Sequence, residues 1–434
     1  MIPNATLGRP STRRDFLKRS VAAAGAAALP WFLPARALGK DPAVPSPSQR
    51  ITLGAIGIGG MGSLDLTGLL HQPDVHVLAV CDVKEGNLRH AVAMVNGQYG
   101  NQDCAVHRDW RELMARADLD AIYCATPDHW HALISIAAAQ AGKDIYCQKP
   151  MSVTIAEGRA VADAVRRHGI VYQSGTQRRS QPNYRFCVET ARSGRIGKLL
   201  HVENRMGGSP GPDSPRVTAP PPEINYDMWL GPAPWEPYCD VRVSGAFRFI
   251  SDYAGGSMTD MGAHYNDIAQ MLRPSFLDAP ATFQVKKARF HQHGIFDTAF
   301  GYDVVATYDD GLEIRMFEGD KGIRWVGTEG WIDLADEGQV TAQPASILKD
   351  IQVNTHWTAV AQHHRNWLDC VKTRARPAAD AEVAHRSTTL SHAANIAMRL
   401  GRDLLRWDRH AERFVGDDDA NRMLARSMRA PWTL

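Results

Sequence analysis

The feature that most constrains the fold is a segment that begins at residue 51. The apolar stretch Ile51 to Ile56 runs into the loop Gly57-Ile58-Gly59-Gly60-Met61-Gly62, and Asp82 closes a second apolar stretch, Val75 to Val80. A G-x-G-x-x-G loop between a strand and a helix, followed about 20 residues later by an acidic residue, is the signature of a dinucleotide-binding βαβ unit. The pattern predicts a doubly wound parallel sheet of the Rossmann type.

Each glycine of this loop has its own steric role in holding a diphosphate. Gly57 makes the tight turn, Gly59 allows close approach of the backbone, and Gly62 lets the helix pack against the strand. Free N–H groups at the start of the helix would bind the phosphates, so the candidate cofactor residues of the loop are Gly57, Gly59, Gly60, Met61 and Gly62. Asp82 would accept hydrogen bonds from the ribose hydroxyls and repel a 2′-phosphate, which favours NAD over NADP.

From residue 51 to residue 175, apolar runs alternate with amphipathic stretches, as expected for a parallel α/β domain. Strands are predicted at Ile51 to Ile56, Val75 to Val80, Asp120 to Ala125, Asp144 to Cys147 and Ile170 to Gln173. Helices are predicted at Gly62 to Gln72, Lys84 to Asn96, Asp109 to Ala115, Trp130 to Ala141 and Ile155 to His168. Ligands bind at the carboxyl ends of such strands, which points to the segments after Ala125 and Cys147.

Residues 176 to 434 are predicted to form an α+β domain with an open, mainly antiparallel sheet. A helix from Pro182 to Gly194 precedes the predicted strands His201 to Arg205, Ala281 to Phe290, Thr298 to Tyr308 and Leu312 to Phe317, the last two joined by a hairpin at Asp309-Asp310-Gly311. Further helices are predicted at Met258 to Leu272, His356 to Lys372 and Glu382 to Leu400. The Pro- and Gly-rich stretch Met206 to Tyr238 is predicted to be an extended arm or lid.

The first 37 residues are predicted to be a twin-arginine export signal. Arg13 and Arg14 precede a mild apolar run, Val21 to Leu29, and Ala35-Arg36-Ala37 is a small-x-small cleavage site. The run is shorter than the about 20 apolar residues that a membrane span requires. Residues 38 to 50, which contain several prolines, are predicted to be a linker. The protein is therefore expected in the periplasm or otherwise outside the cytoplasm.

Composition excludes several other classes of protein. The chain of 434 residues is 44% apolar and 22% charged with a formal net charge of +2, so it has no electrostatic footprint for nucleic acid, and no segment beyond the signal is apolar enough to span a membrane. Its 7 cysteines form no C-x-x-C pair, and the pairs His291/His293 and His363/His364 lack a third ligand at a recognised spacing. We therefore predict no metal site.

Several motifs resemble those of the glucose-fructose oxidoreductase, inositol dehydrogenase and MocA (Gfo/Idh/MocA) family. Besides the glycine loop they are Thr126-Pro127-Asp128-His129-Trp130-His131, Gln148-Lys149-Pro150, Gly175-Thr176-Gln177 and Gly255-Gly256-Ser257-Met258-Thr259-Asp260-Met261-Gly262-Ala263-His264. Trp229 to Trp235, Gly327 to Trp331 and Met428 to Trp432 resemble exported members found in sugar-degrading bacteria. The usual E-K-P motif of the family reads Gln148-Lys149-Pro150 here, which keeps a hydrogen-bonding side chain but removes a charge beside the lysine.

The resemblance implies oxidation or reduction of a sugar, inositol or related polyol by a tightly held nicotinamide. His264 is the candidate base for the hydroxyl proton, because imidazole titrates near neutrality. Lys149 would donate to the same oxygen, and Asp260, predicted on the same helix face as His264, would hold a neighbouring hydroxyl or the imidazole tautomer. Further cofactor candidates are Thr126, Pro127, His131, Gln148 and Lys149, although packing or capping is an equal alternative for His131 and for His129. Asn183, Tyr265 and Trp229 are candidates for substrate contacts.

Export narrows the chemistry, because the periplasm offers no nicotinamide pool and the cofactor must be recycled in place. The first hypothesis is an oxidoreductase of sugars or polyols with bound NAD. The second is a redox-neutral enzyme that cleaves glycosides through a transient keto sugar, and the third is a non-catalytic sugar sensor. The resemblance further implies a homo-oligomer, since the open sheet of this fold commonly pairs with another subunit.

Overall fold

The computed structural model describes residues 45–273, 279–349 and 359–434. The predicted twin-arginine signal and most of the predicted linker lie outside these residues. The described end of the linker, residues 45–50, contains a short 3-10 turn at Pro47–Gln49. Among the described residues, no helix combines the length and apolarity needed to cross a bilayer.

A parallel sheet of six strands forms the first domain. The strands are β1 (Ile51–Ile56), β2 (Val75–Cys81), β3 (Ala105–His107), β4 (Ala121–Cys124), β5 (Asp144–Cys147) and β6 (Tyr172–Ser174), in the spatial order β3-β2-β1-β4-β5-β6. This is the doubly wound order expected from the sequence. All five predicted strands are present; β3 was not predicted, because it is short and none of its side chains is buried.

The helices of this domain are α1 (Gly60–Leu70), α2 (Glu85–Tyr99), α3 (Trp110–Met114), α4 (Asp128–Gln140) and α5 (Ile155–His168). Their boundaries follow local capping signals. The Thr154 hydroxyl accepts from the Glu157 N–H at the start of α5, and Gly169 ends that helix in the left-handed conformation. Helix α5 has the bounds that the sequence predicts.

Among the described residues, the second sheet has nine strands and a single parallel pair, β7 with β10. Its strands are β7 (Leu199–Met206), β8 (Thr282–Arg289), β9 (Gly301–Thr307), β10 (Glu313–Glu318), β11 (Gly322–Gly327), β12 (Trp331–Ala335), β13 (Val340–Gln343), β14 (Leu404–Asp408) and β15 (Arg413–Phe414), in the order β13-β12-β11-β7-β10-β9-β8-β14-β15. The predicted hairpin joins β9 to β10, where Gly311 N donates to Tyr308 O at 2.9 Å. The sheet is thus open and mainly antiparallel, as predicted.

The remaining helices are α6 (Pro182–Arg192), α7 (Tyr226–Leu230), α8 (Ser257–Asp260), α9 (Gly262–Gln270), α10 (Ala359–Thr373), α11 (Ala381–Arg399) and α12 (Asp418–Arg422). Apolar side chains of α6, α9 and α11 pack on one face of the nine-stranded sheet and form the largest core cluster. The predicted start of α10 at His356 lies outside the described residues.

One predicted helix, Met258 to Leu272, is wrong as a continuous element. Helix α8 ends at Asp260 and α9 begins at Gly262, with Met261 between them. At this point Met261 O accepts from His264 N, three residues on, as well as from Tyr265 N, four residues on, each at 3.0 Å, so a 3-10 contact accompanies the regular helical bond. Met261 itself keeps right-handed helical dihedrals, so the break is local; Asp260 lines the cleft described below, and His264 does not.

The segment predicted as an arm begins as exposed coil after β7 and becomes anchored at α7. Trp229 packs with Tyr226, Tyr253 and His129 in an aromatic cluster. Near the C-terminus, Trp432 packs edge-on against Trp130 with ring centroids 4.7 Å apart. These contacts fasten α7 and the C-terminal segment to helix α4 of the first domain.

Candidate active site

The glycine loop forms one wall of a cleft at the carboxyl end of the parallel sheet. Gly57 has a φ of +80°, and a Cβ there would lie 2.6 Å from the backbone nitrogen of Thr126. A Cβ on Gly62 would overlap the carbonyl oxygen of Gly57. Space opposite Gly59 and Gly60 is open, with nothing within 4 Å of an added Cβ. The tight turn and the close helix–strand packing that the sequence predicts are therefore both present.

Asp82 lies at the end of β2, beside the glycine loop. Its Oδ2 atom accepts from Ile58 N at 2.7 Å and from the Asn87 amide at 3.0 Å, and Oδ1 accepts from Lys84 N at 2.8 Å. Burial raises the pKa of Asp82, although these donors oppose the effect. The carboxylate thus fixes the loop itself, and the unused accepting capacity of Oδ1 is where a ribose hydroxyl could bind.

The cleft has a volume of about 580 Å³ and is lined by both domains. From the first domain come the glycine loop, Asp82, Thr126, Pro127, Asp128, His131, Gln148 and Lys149; from the second come Trp229, Phe247, Arg248 and Asp260. All the residues predicted to bind the cofactor therefore line one cleft. Of the three predicted catalytic residues, Lys149 and Asp260 line it, and His264 does not.

Lys149 and Asp260 form an ion pair at the junction of the two domains. Lys149 Nζ lies 2.5 Å from Asp260 Oδ1, and Arg248 Nε lies 3.4 Å from the same oxygen. Burial alone would raise the pKa of Asp260, but the charges of Lys149 and Arg248 outweigh burial and hold the pKa below its usual value. Asp260 is therefore ionised at neutral pH, and it fixes the position of the lysine ammonium group.

His264 lies in the first turn of α9 and is buried, with 9% of its surface exposed. Burial first, and then the nearby charges of Arg178 and Lys149, lower its pKa well below the usual value. Within the described part of the chain, Nδ1 has no hydrogen-bond partner. The imidazole is thus neutral at pH 7, which is the form that can accept a proton.

Asp128 lines the cleft but was not among the predicted site residues. It starts helix α4, is 5% exposed, and lines the cleft with Lys149 and Asp260. Burial, reinforced by the charge of Asp260, raises its pKa to about 7, although Lys149 and Arg248 lower it. The signal available in the sequence was the acidic residue inside the Thr126 to His131 motif, but burial of that carboxyl could not be inferred from the motif.

The two histidines of this motif bind backbone carbonyls. His131 Nδ1 lies 2.6 Å from Pro150 O, and its Nε2 lies 2.8 Å from Thr126 O. Burial lowers the pKa of His131 to about 4, so the ring is neutral and can donate to one of the two carbonyls. His129 Nε2 lies 2.9 Å from Trp229 O, and burial lowers its pKa to about 3. Both rings therefore tie together the segments that border the cleft.

The three residues predicted to contact substrate have other partners within the protein. The Asn183 amide donates to Gly338 O at 3.3 Å, and the Tyr265 hydroxyl donates to Asp336 Oδ1 at 2.7 Å. Neither residue lines the cleft. Trp229 does line it, but its ring is 3% exposed and belongs to the aromatic cluster around α7. The structure therefore brings only Trp229 of these three to the cleft.

Beneath the cleft, the side-chain donor atoms of Cys124, His131 and Cys147 lie within 4.8 Å of one another. Sulfur and imidazole are ligands that zinc prefers. Both nitrogens of His131 are already at hydrogen-bond distance from carbonyl oxygens, and Cys124 Sγ lies 3.4 Å from Thr126 Oγ1. A metal would have to displace these contacts, so we assign the cluster to packing.

The cleft fits a dinucleotide. The first-turn N–H groups of α1 have no partner within their own helix, and open space faces Gly59 and Gly60, where the backbone can approach a diphosphate. Asp82 is placed for the ribose, and Lys149 lies at the far end of β5, where the nicotinamide end of an extended dinucleotide would lie. These residues suit NAD in type and in order along the cleft.

Comparison with known families agrees with this geometry. Residues 51–176 match the model of the oxidoreductase family with an NAD-binding Rossmann fold, and residues 211–434 match the model of its C-terminal alpha/beta domain. The protein belongs to the Gfo/Idh/MocA family. Its first domain is therefore an NAD-binding Rossmann domain, and NAD is the cofactor that this Gfo/Idh/MocA protein is built to hold.

Curated relatives of this Gfo/Idh/MocA chain include dehydrogenases and glycoside hydrolases. Inositol 2-dehydrogenase 1 of Saccharopolyspora erythraea is 32% identical over 189 residues, which are 42% of this chain and 54% of the relative. A glycosyl hydrolase family 109 protein of Stenotrophomonas maltophilia is 29% identical over 198 residues, which are 44% of this chain and 41% of the relative. The chain thus spans about half the length of the curated relatives it matches.

Solved structures share the fold over most of both chains. The WlbA dehydrogenase of Chromobacterium violaceum, in complex with NADH and UDP-GlcNAcA, superposes with a TM-score of 0.64 at 16% identity, covering 84% of this chain and 98% of the other. The aldose-aldose oxidoreductase of Caulobacter crescentus, complexed with glycerol, gives a TM-score of 0.63 at 17% identity, covering 82% and 99%. At these identities the likeness establishes the fold.

Proposed function

We propose that this protein is an NAD-dependent oxidoreductase that acts on a CH–OH group of a sugar, inositol or related polyol. The observation that carries the proposal is the ion pair between Lys149 and Asp260, which lies in the same cleft as the glycine loop. An ammonium group held by a carboxylate at the nicotinamide end of the cleft is suited to bind the oxygen of a reacting alcohol. The inositol dehydrogenase relative supports the substrate class.

The bound nicotinamide would supply the hydride acceptor. Lys149 donates a hydrogen bond to the alcohol oxygen and stabilises negative charge that develops there. Asp260 holds the lysine in place, and Asp128, which lines the same cleft, is the group placed to take the hydroxyl proton, since the predicted base His264 does not line the cleft. Asp128, whose pKa of about 7 allows both protonation states near neutrality, is placed to exchange protons with the same cleft.

We further propose export by the twin-arginine route and recycling of a cofactor that stays bound. Outside the cytoplasm, a dehydrogenase that released NADH would stop after one turnover. A cleft that both domains close is suited to retain the dinucleotide while one sugar is oxidised and another is reduced, and the structural likeness to an aldose-aldose oxidoreductase is compatible with this cycle. A homo-oligomer is part of the proposal, and light scattering on the purified protein tests it.

The decisive experiment has two parts. The purified protein is denatured, and any released nucleotide is identified by mass. Nicotinamide absorbance is then followed with a panel of sugars, inositols and glycosides. Release of NAD together with a change in absorbance on adding one substrate supports the proposal. The absence of both nucleotide and absorbance change would instead favour the sugar sensor.

A redox-neutral enzyme that cleaves glycosides is the second candidate function, and the family 109 glycosyl hydrolase relative favours it. Oxidation to a keto sugar acidifies the neighbouring C–H bond, elimination releases the glycosidic substituent, water adds, and the carbonyl is reduced again. Asp128 could move a proton in the elimination step. Release of the aglycone without net formation of NADH separates this function from the first.

A further inference from the structure

A buried carboxylate lies behind the lysine of the cleft. Asp65 in helix α1 is completely buried, and its Oδ2 atom accepts from the Tyr123 hydroxyl at 3.0 Å and from the Gln148 amide at 2.5 Å. His364 Nε2 lies 3.4 Å from the other oxygen, Oδ1. Burying a carboxylate is costly unless donors surround it. The amide of Gln148 is therefore one of the hydrogen-bond donors that offset the cost of burying the Asp65 carboxyl.

The orientation of Gln148 is fixed at both ends of its amide. Its nitrogen faces Asp65, and its Oε1 atom lies 3.3 Å from the backbone N–H of Lys149, which donates to it. An added Cβ on Gly175 would lie only 2.6 Å from Oε1, so the side chain is packed against that residue and has no room to turn. A glutamate carboxylate at position 148 could accept from Lys149 but would have no hydrogen to donate to Asp65.

We propose that Asp65 and Gln148 act as one positioning unit that holds the backbone of Lys149, with the carboxyl acceptor carried by helix α1 and the amide donor carried by the end of β5. The unit accounts for the glutamine that replaces the motif glutamate next to Lys149. The carboxyl group that the motif would place at position 148 is found instead on Asp65, in contact with the Gln148 amide. Only the catalytic consequence of this inference rests on the proposed function.

Exchanging the two functional groups tests the unit. The variants are Gln148→Glu, Asp65→Asn and the double variant Asp65→Asn/Gln148→Glu, with Asp120→Asn as a matched control. Asp120 is a carboxylate at the opposite end of β4, where it accepts from Thr52. For each variant we would measure the midpoint of thermal unfolding, the affinity for NADH by nicotinamide fluorescence, and kcat and KM on the best sugar substrate.

In Gln148→Glu, two carboxylates meet in a buried contact, so we expect a lower unfolding midpoint and an affinity for NADH weakened by about tenfold or more. In the double variant, the donor and acceptor of this contact are exchanged, so both quantities should recover most of the loss but not all of it, because an amide nitrogen at position 65 cannot accept from the Tyr123 hydroxyl. Asp65→Asn keeps an acceptor for Gln148, so the affinity for NADH, kcat and KM should stay close to those of the unaltered protein. Asp120→Asn should match the unaltered protein in NADH affinity, kcat and KM.

Two results would contradict the proposed unit. In the first, the double variant loses stability and NADH affinity by the sum of the losses in the two single variants. In the second, the Gln148→Glu protein folds and binds NADH normally. If Gln148→Glu does not fold, a folded double variant still supports the unit, and an unfolded one contradicts it. Restored NADH affinity in a protein that turns over no sugar would refute the proposed function and leave the unit standing.

Discussion

Lys149 Nζ lies 2.5 Å from Asp260 Oδ1, although the two residues belong to different domains. The lysine follows β5 of the parallel sheet, and the aspartate ends helix α8. With 15% and 23% of their side chains exposed, both are shielded from water but open to the cleft. The reacting centre that we propose therefore requires residues from both domains.

Replacing Lys149 by alanine should abolish most turnover while leaving the fold intact. The substitution removes the donor to the reacting oxygen, and loss of one such donor costs a factor of about 10² to 10³ in kcat. Affinity for NADH, measured by fluorescence, should change little. The exposed Lys198 serves as the control, since Lys198→Ala removes a charge away from the cleft. Unchanged kcat in Lys149→Ala would contradict the assigned role.

Gly62→Ala should destabilise the protein and remove the nucleotide. The new methyl group overlaps the carbonyl oxygen of Gly57, and such overpacking costs about 1 to 3 kcal/mol. Gly86 in α2 is the matched control, because an added Cβ there meets nothing within 4 Å. Gly86→Ala should be neutral or stabilising by up to about 1 kcal/mol. Chemical denaturation and the nucleotide content of the purified variants are the measurements.

Asp128 should make the folded state less stable as the pH rises. Its pKa is raised to about 7 in the folded protein, whereas an unfolded aspartate titrates near 3.9. Between these values the unfolded chain has released a proton that the folded chain keeps, so the contribution of Asp128 is favourable at low pH and is lost as pH rises through 7. Urea titrations from pH 4 to pH 8 should show Asp128→Asn gaining stability relative to the unaltered protein, and a difference independent of pH would refute this.

His129 should have the opposite effect on stability. Burial lowers its pKa to about 3, while an unfolded histidine titrates near 6.5. Its stabilising contribution is complete above pH 6.5 and is lost as the pH falls towards 3. The advantage of the unaltered protein over His129→Gln should therefore shrink between pH 7 and pH 4 in urea titrations. His410→Gln, at an exposed turn, should show no such trend.

The sequence predicted the elements that carry strong local signals. The glycine loop and the five apolar strands of the first domain are where they were predicted, because close packing leaves few alternatives for such segments. Strands β11 to β15 were missed: they are short, and charged residues such as Arg324 and Asp333 alternate along them. The break at Met261 was also missed, since it depends on contacts made after folding.

The candidate site was predicted only in part, because only some of its residues belong to motifs that are visible in the sequence. Motif residues lead to Lys149 and Asp260, which lie together in the cleft. Asp65, Asp128 and Arg248 were not selected, because a charged residue in a sequence gives no sign of its burial or of its partner from a distant segment. Asn183 and Tyr265 were predicted to contact substrate, and neither lines the cleft.

The division of the cleft between two domains has a practical meaning for engineering. The residues predicted to bind the dinucleotide all precede residue 150, whereas Arg248 and Asp260, which pair with Lys149 or lie beside that pair, come from the second domain. A chimera that joins this first domain to the second domain of a relative should therefore still bind the nucleotide but oxidise a different alcohol. The second domain of the relative must supply a carboxylate that pairs with Lys149.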